Sequence, residues 1–593
     1  MYISNLRLWN FRTFGSPDYK IDLKVPHLEV DFKPGINVLI GENDTGKTAI
    51  IDAIRYVLKT HAYERLWVSE DDFYFGSSEL RIEIIIKGLS FIEASHFTEW
   101  LGWDDVHSEE AIPFLRLIFL AKNNDNGIWI SSLCAGTTPE GSALDYEARE
   151  YLKITYLRPL RDAEDELTAK KASRLSQILS GHKLFKKKTK TEEHPFERIV
   201  KETNHKIEEW FRNDSSNDYE KSHKEQIKDI IDRFLKEFIS DSVESNIFIS
   251  NPDIKSILEK LSLNLIDQIK PGLGSHNRLY MAAELLHLIK DEWSGIRTCL
   301  IEELEAHLHP QAQMKVIEAL EKEENVQFII TTHSPNLTSK INIADEESTN
   351  LILCKDKKAY SLYPGKTLLD KSDYKYLQHF LDVTKANMFF AAGVIMVEGW
   401  SEAILLPVIA NSIEKDLTRS EISIVNIGST AYMHFAKIYM PLNGTMNFPV
   451  SILTDLDIQP DKDGKFDSQC EISRLEDLVG QFDTSRYPNV QIMVAKQWTL
   501  EWCLYNSTTY KNSFMDAVSK VHGGTLEFKR GNDKQYDEES FKYKLIEKLK
   551  NRSLNKVAIA YELAKEIKEK NLIPQSNDKY IEYILDAINH VCK

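Results

Sequence analysis

The sequence predicts an α/β protein with two α/β units in one chain, the first interrupted by a helical insertion and the second closed by C-terminal helices. Three observations carry this. Apolar runs rich in Val, Ile and Leu alternate with helical periodicity near both ends of the chain, the pattern of strands joined by helices. Between about residues 162 and 260 the texture turns charged, as in EQIKDIIDRFLKEFI, with apolar residues at three- and four-residue spacing. The 593 residues also exceed what one core serves, because domains run to roughly 100–200 residues.

Residues 1–160 read as the first lobe, with strands at Tyr2–Leu8, Ile36–Ile40, Leu80–Ile86 and Phe114–Leu120 and a helix from Lys47 to Thr60. Residues 161–260 read as the insertion, a candidate dimerisation arm. Residues 261–385 return to α/β sequence and complete the first unit. Residues 386–593 form the second, whose strands end near Trp502 and whose remainder, including FKYKLIEKLKNRSLNKVAIAYELAKEIKEKN, is helical.

A hydrophobic share of 42% with 28% charged residues fits a globular protein. No apolar run approaches the roughly 20 residues that span a bilayer, and MYISNLRLWNFRTFG alternates like a strand, unlike a signal peptide. These features imply a cytoplasmic protein with no membrane partner. The six cysteines are scattered without a C-x-x-C pair, which excludes a zinc ribbon or a disulfide framework. A net charge of −17 excludes indiscriminate coating of DNA but leaves room for a local basic groove. The run KLFKKKTK (Lys183–Lys190) reads first as a solvated helix end, the usual role of such a run, and second as a DNA contact.

The first chemical motif is Gly41-Glu-Asn43-Asp-Thr-Gly46-Lys47-Thr48, between the apolar run INVLI and the helical run AIIDAIRYVL. It fits the P-loop G-x-x-x-x-G-K-[ST], in which backbone N–H groups wrap phosphates, the lysine adds charge and the hydroxyl reaches magnesium. ATP with Mg²⁺ follows. RTCLIEELEAHLHP then offers Glu302 for the metal and Glu303 for water activation, and His333 in FIITTHSP stands where it can sense the γ-phosphate. A glutamine loop is missing; Asp72-Phe73 is the candidate stand-in.

The second motif is GVIMVEGWSEAILLPVI, with Glu398 after a strand, Gly399 for a tight turn and Glu402 four residues beyond Glu398. PVSILTDLDIQPDKDGK sets Asp455 and Asp457 at another strand end, where alternation by two predicts that both face one side. Carboxylates gathered in this way suit hard divalent ions, Mg²⁺ or Mn²⁺, and two-metal phosphodiester chemistry. This is the Toprim pattern.

The order of these parts resembles the OLD (overcoming lysogenization defect) family, which includes the ATPase-nuclease subunit of the Gabija system. The resemblance implies an ABC-type ATPase head fused to a Toprim nuclease that nicks or cuts DNA in defence against phage, with a partner protein or nucleic acid in some systems. It implies that the turn GLGSHNRLYMAAELL brings Ser275 to the nucleotide of another subunit, and hence at least a homodimer. It further implies that Glu501 of T-L-E is a metal ligand and that Lys556 stabilises charge on the phosphate. Where the family has E-E-P-E, this chain has Glu302-Glu303-Leu304-Glu305. The competing reading is a non-nucleolytic switch of the RecF or SMC type that uses Toprim for docking.

Overall fold

A computed structural model describes residues 1–61, 66–104, 111–123, 129–158, 166–187, 193–212, 231–233, 235, 245, 247–266, 272–286, 288, 295–345, 347–461, 464–481, 483–523 and 537–592. The first sheet is antiparallel. It runs β2 (Leu28–Asp31), β1 (Tyr2–Trp9), β4 (Glu79–Lys87), β6 (Ile112–Asn123), β7 (Trp129–Ala135) and β8 (Ser142–Ala143), with β5 (Leu101–Asp104) also on β6.

The second sheet runs β13 (Lys358–Ser361), β12 (Asn350–Lys355), β3 (Ile36–Ile40), β11 (Gln327–Thr331), β10 (Thr298–Ile301) and β9 (Thr155–Leu157). All its pairings are parallel except that of the edge strand β13. Every residue of β3 is buried, Asn37 included, which is why INVLI is apolar at its other four positions and shows no alternation. The third sheet is wholly parallel, in the order β15 (Ile422–Asn426), β14 (Gly393–Val397), β16 (Val450–Thr454) and β17 (Val490–Val494).

Parallel strands point their carboxyl ends the same way, and ligands of open α/β sheets gather there. The P-loop follows β3, Glu302 follows β10, and His333 lies two residues past β11. In the third sheet Glu398 follows β14 and Asp455 follows β16. Both candidate sites thus occupy the position that the topology favours.

The third sheet uses its two faces differently, as a period of two requires. Val394 and Met396 join one apolar core with Val38, Ile40, Ile301 and Ile330 of the second sheet. Ile395 and Val397 face the C-terminal helices through Phe514, Leu545 and Leu563. Each such side chain contributes roughly 1.5–3 kcal/mol on full burial, so the shared core ties the two units firmly. Backbone bonds add to it: Leu368 N donates to Met440 O (3.0 Å) and Leu442 N to Lys366 O (2.9 Å).

Of the insertion, the helices Arg174–Gly181 and Pro195–Arg212 are described. Arg174 makes a bidentate ion pair with Glu284 at 2.5 and 2.6 Å, with side-chain exposures of 7% and 0%. Glu284 belongs to the helix Leu273–Leu285, so the insertion is pinned to the segment that carries Ser275. Lys188–Lys190, the end of the basic run, and residues 213–230 lie outside the described residues. No helix among the described residues is long and apolar enough to cross a membrane.

Candidate functional sites

At the end of β3 the chain enters the P-loop, and the helix Lys47–Leu58 begins behind Gly46. Gly46 has φ 93°, a left-handed conformation, and a Cβ there would stand 2.4 Å from Phe14 Cζ. Only glycine meets both demands. Lys47 Nζ turns back into the loop and donates to the carbonyls of Gly41 (3.0 Å) and Glu42. Asn43 and Thr48 are exposed on the loop surface.

Glu302 is buried, accepts a hydrogen bond from Tyr156 Oη (2.6 Å), and receives another from the Thr48 hydroxyl. Burial raises its pKa, and these two hydrogen bonds oppose the rise. Glu303 has φ 46° and donates its N–H to Thr331 Oγ1 (3.0 Å). The His333 imidazole lies close to Lys47 and Glu303 and bonds the Gly41 backbone; burial first and the Lys47 charge second lower its pKa. P-loop, Glu302, Glu303 and His333 therefore lie close together beyond the ends of β3, β10 and β11.

Three residues here escape local sequence reasoning. Glu305, the third carboxylate of the block, accepts from Thr332 Oγ1 (2.7 Å) and His333 N (2.6 Å), clasping the turn that presents the histidine. Tyr156 comes from β9, on the far edge of the sheet. Lys355, at the end of β12, reaches Glu42 Oε1 of the P-loop at 2.7 Å and lies 5.4 Å from the centre of the Phe448 ring. Phe448 stands just ahead of β16 and stacks on Tyr439 at 4.4 Å.

The glutamine-loop stand-in is differently employed. Asp72 accepts from Arg12 Nε and Nη2 (both 3.0 Å) and from Tyr56 Oη (2.7 Å), so its carboxylate serves a network beneath the P-loop helix. Ser275 lies in the first turn of its helix and meets Arg278 Nη2 (3.3 Å); no described hydrogen bond joins it to the P-loop of its own chain.

In the second site Glu398 accepts from the Thr454 hydroxyl and from Asp455 N (3.3 Å), which ties the ends of β14 and β16 together. Glu402 lies in the first turn of the helix Trp400–Ser412. Gly399 serves here for room and not for handedness: its φ is −150°, and a Cβ would stand 3.1 Å from Glu402 Oε2.

The pleat argument for Asp455 and Asp457 fails. Strand β16 ends at Thr454, and Asp457 has φ 58°, so alternation stops before either residue. Asp455 Oδ1 instead accepts from Leu500 N (2.9 Å), at the start of the helix Leu500–Asn506, while Asp457 is exposed and faces Glu398. Both still reach the cluster, by a turn.

Glu501 belongs to that same helix and stands 2.8 Å from Lys556 Nζ. Lys556 begins the helix Lys556–Lys570 and also faces Asp455 and Glu402. Burial raises the pKa of Glu398, Glu402 and Asp455; Glu402, pushed further by Glu501, reaches about 7. The neighbouring carboxylates raise that of Lys556. Tyr432 and Tyr583 also face these carboxylates, from segments that no local motif marks.

Four buried or half-buried carboxylates and the exposed Asp457 around one ammonium leave an excess of negative charge. Glu501 Oε1 is buried without a hydrogen-bond partner. This all-oxygen donor set fits a hard divalent cation. Among the described residues, no three His, Cys, Asp or Glu groups already close on a single point.

The AAA ATPase domain family matches residues 1–251 and again 142–338. The family described as overcoming lysogenization defect protein-like, TOPRIM domain, matches residues 389–457. Over 566 residues the chain is 23% identical to Endonuclease GajA of Bacillus cereus (strain HuB5-5), covering 82% of this chain and 80% of that protein. Over 458 residues it is 21% identical to the OLD nuclease of Thermus scotoductus (strain ATCC 700910 / SA-01), covering 73% and 80%. The solved C-terminal region of the Burkholderia pseudomallei OLD protein aligns at 20% identity and a TM-score of 0.24, over 34% of this chain and 100% of that one.

Proposed function

The chain belongs to the AAA ATPase domain family and carries an OLD-like TOPRIM domain, and from that premise we propose that it is an ATP-dependent DNA endonuclease. The observation that carries this is the convergence of Glu398, Glu402, Asp455 and Glu501 on Lys556 beyond the ends of β14 and β16. A docking module has no use for so costly a cluster, since unpaired buried charge is unfavourable. The relation to Endonuclease GajA and the OLD nuclease over most of the chain supports the same reading.

In this reading Glu398, Glu402, Asp455, Asp457 and Glu501 hold Mg²⁺ or Mn²⁺, and Lys556 offers its ammonium to the scissile phosphate. A bound divalent ion supplies Lewis acidity and a water of lowered pKa. In the head, Lys47 and the P-loop amides hold the ATP phosphates, and Thr48 and Glu302 hold Mg²⁺. Glu303 orients the attacking water, and His333 faces the γ-phosphate. Ser275 completes the site across a homodimer, with the insertion as its arm.

The proposal keeps the division at residues 160, 260 and 385, supported by sheet membership on either side of the insertion. It places the protein in the bacterial cytoplasm, in defence against phage, with a partner protein or nucleic acid acting as trigger.

The test is cleavage of supercoiled plasmid with Mg²⁺ or Mn²⁺, with and without ATP, beside a Glu398→Ala, Asp455→Ala double variant. Relaxed or linear plasmid from the wild type alone supports the proposal. Equal cutting by both proteins removes the assigned site, and no cutting by either favours the docking switch.

A further inference from the structure

We infer that Tyr156 is a positioning residue for the ATP-site metal, its hydroxyl fixing the Glu302 carboxylate in the orientation that faces Thr48. The inference rests on the ATPase reading of the P-loop and goes beyond it, because that reading gives Tyr156 no role. Glu302 leaves β10 with its main chain already set: its N–H donates to Leu157 O at 3.0 Å, continuing the pairing of β10 with β9. The side chain has no such constraint from the sheet. Beside the bond from Thr48, it is held by the Tyr156 Oη at 2.6 Å, in which the phenol donates and the carboxylate accepts.

The phenol is itself held. The Arg55 guanidinium lies 3.8 Å from the centre of the Tyr156 ring, and Arg55 Nη1 is 2.5 Å from Asp52 Oδ1. Asp52 is paired through its other oxygen with Arg12 Nη1 (2.8 Å), and Arg12 with Asp72 (3.0 Å). Charges of alternating sign thus run from Asp72 through the P-loop helix to the tyrosine and end on Glu302. Asp72, expected as the stand-in for a glutamine loop, reaches the metal carboxylate through this relay and not by direct contact.

A group that orients a metal-binding carboxylate from behind fixes its geometry and basicity, and its loss weakens metal affinity about 10- to 100-fold. Tyr156→Phe is the fitting perturbation, since the ring stays under Arg55 and only the donor is removed. The experiment uses the full chain in the Glu398→Ala, Asp455→Ala background, which removes two carboxylates of the nuclease site, and counts only the Mn²⁺ binding that depends on nucleotide. Free Mn²⁺ is followed by electron paramagnetic resonance as it binds in the presence of the non-hydrolysable analogue AMP-PNP, and AMP-PNP affinity is measured separately in EDTA.

For Tyr156→Phe, Mn²⁺ affinity should fall about 10- to 100-fold while metal-free AMP-PNP affinity stays within about twofold. Arg55→Met, which keeps the hydroxyl but frees the ring, should give a smaller loss of the same kind, and it carries the test should Tyr156→Phe not fold. A Mn²⁺ titration superposing on that of the parent overturns the inference. So does a parallel loss of metal-free nucleotide binding, which would make Tyr156 a support of the whole pocket. A parent protein with no AMP-PNP-dependent Mn²⁺ site would overturn the ATPase reading itself.

Discussion

Replacing Lys355 by methionine should uncouple nucleotide from nuclease. The ammonium bridges two units: it is 2.7 Å from Glu42 in the P-loop and 5.4 Å from the Phe448 ring, just ahead of β16, the strand that Asp455 follows. Side-chain exposures of 11% and 26% for Lys355 and Glu42 mean that water screens the pair only in part. The cation–π contact sets the scale of what can pass between the units, about 0.5–2 kcal/mol, which corresponds to roughly a 2- to 30-fold change in an equilibrium. Methionine keeps the stem's volume against Phe448 and removes the charge. The assay is the rate of plasmid nicking with and without AMP-PNP, taken as a ratio. Whichever direction the nucleotide effect takes in the wild type, the ratio in Lys355→Met should move toward one by up to that factor, with ATP binding retained. A ratio equal to the wild-type value would refute the coupling argument.

Gly46→Ala should weaken nucleotide binding about 5- to 30-fold by equilibrium titration, because a left-handed φ costs a non-glycine residue about 1–2 kcal/mol and the added Cβ meets Phe14. Lys556→Met should slow plasmid cleavage about 10²- to 10³-fold, the usual cost of losing one charge-stabilising donor, and leave ATP hydrolysis unchanged. Breaking the buried Arg174–Glu284 pair from one side, as Arg174→Met or Glu284→Leu, should destabilise the helix Leu273–Leu285 by about 3–5 kcal/mol in hydrogen exchange, and the double variant should recover most of it.

The two phosphate-handling loops were legible because each is local: an apolar strand, a short turn and a helix lie within about 20 consecutive residues. The side chains that finish each site come from elsewhere. Tyr156 reaches Glu302 across 146 positions, and Lys355 reaches Glu42 across 313, through sheet neighbours that no single-strand pattern reveals. Asp455 and Asp457 show the opposite difficulty, since the residues were evident but the strand stopped one residue short of the first. Asp72 was sought at the nucleotide because loops of that position often serve there, and Arg12 claims its carboxylate instead. In the E-E-L-E block, Glu305 could have been noticed from its own periodicity, but its partner turn at Thr332 and His333 is visible only in three dimensions.

Strand β3 is among the first parts of the chain to be made, yet it lies inside its sheet, where Val38 pairs with Ile330 on one side and Leu351 on the other. On the ribosome those neighbours arrive roughly 300 residues later, an interval of about 15–60 s at ordinary rates of synthesis of about 5–20 residues per second. Throughout that time the phosphate loop has no sheet to hold it. A nascent chain therefore gains its nucleotide pocket only after β12 has emerged, shortly before the first carboxylate of the nuclease is translated, and the nuclease site, which waits for Lys556, follows roughly 200 residues or about 10–40 s later.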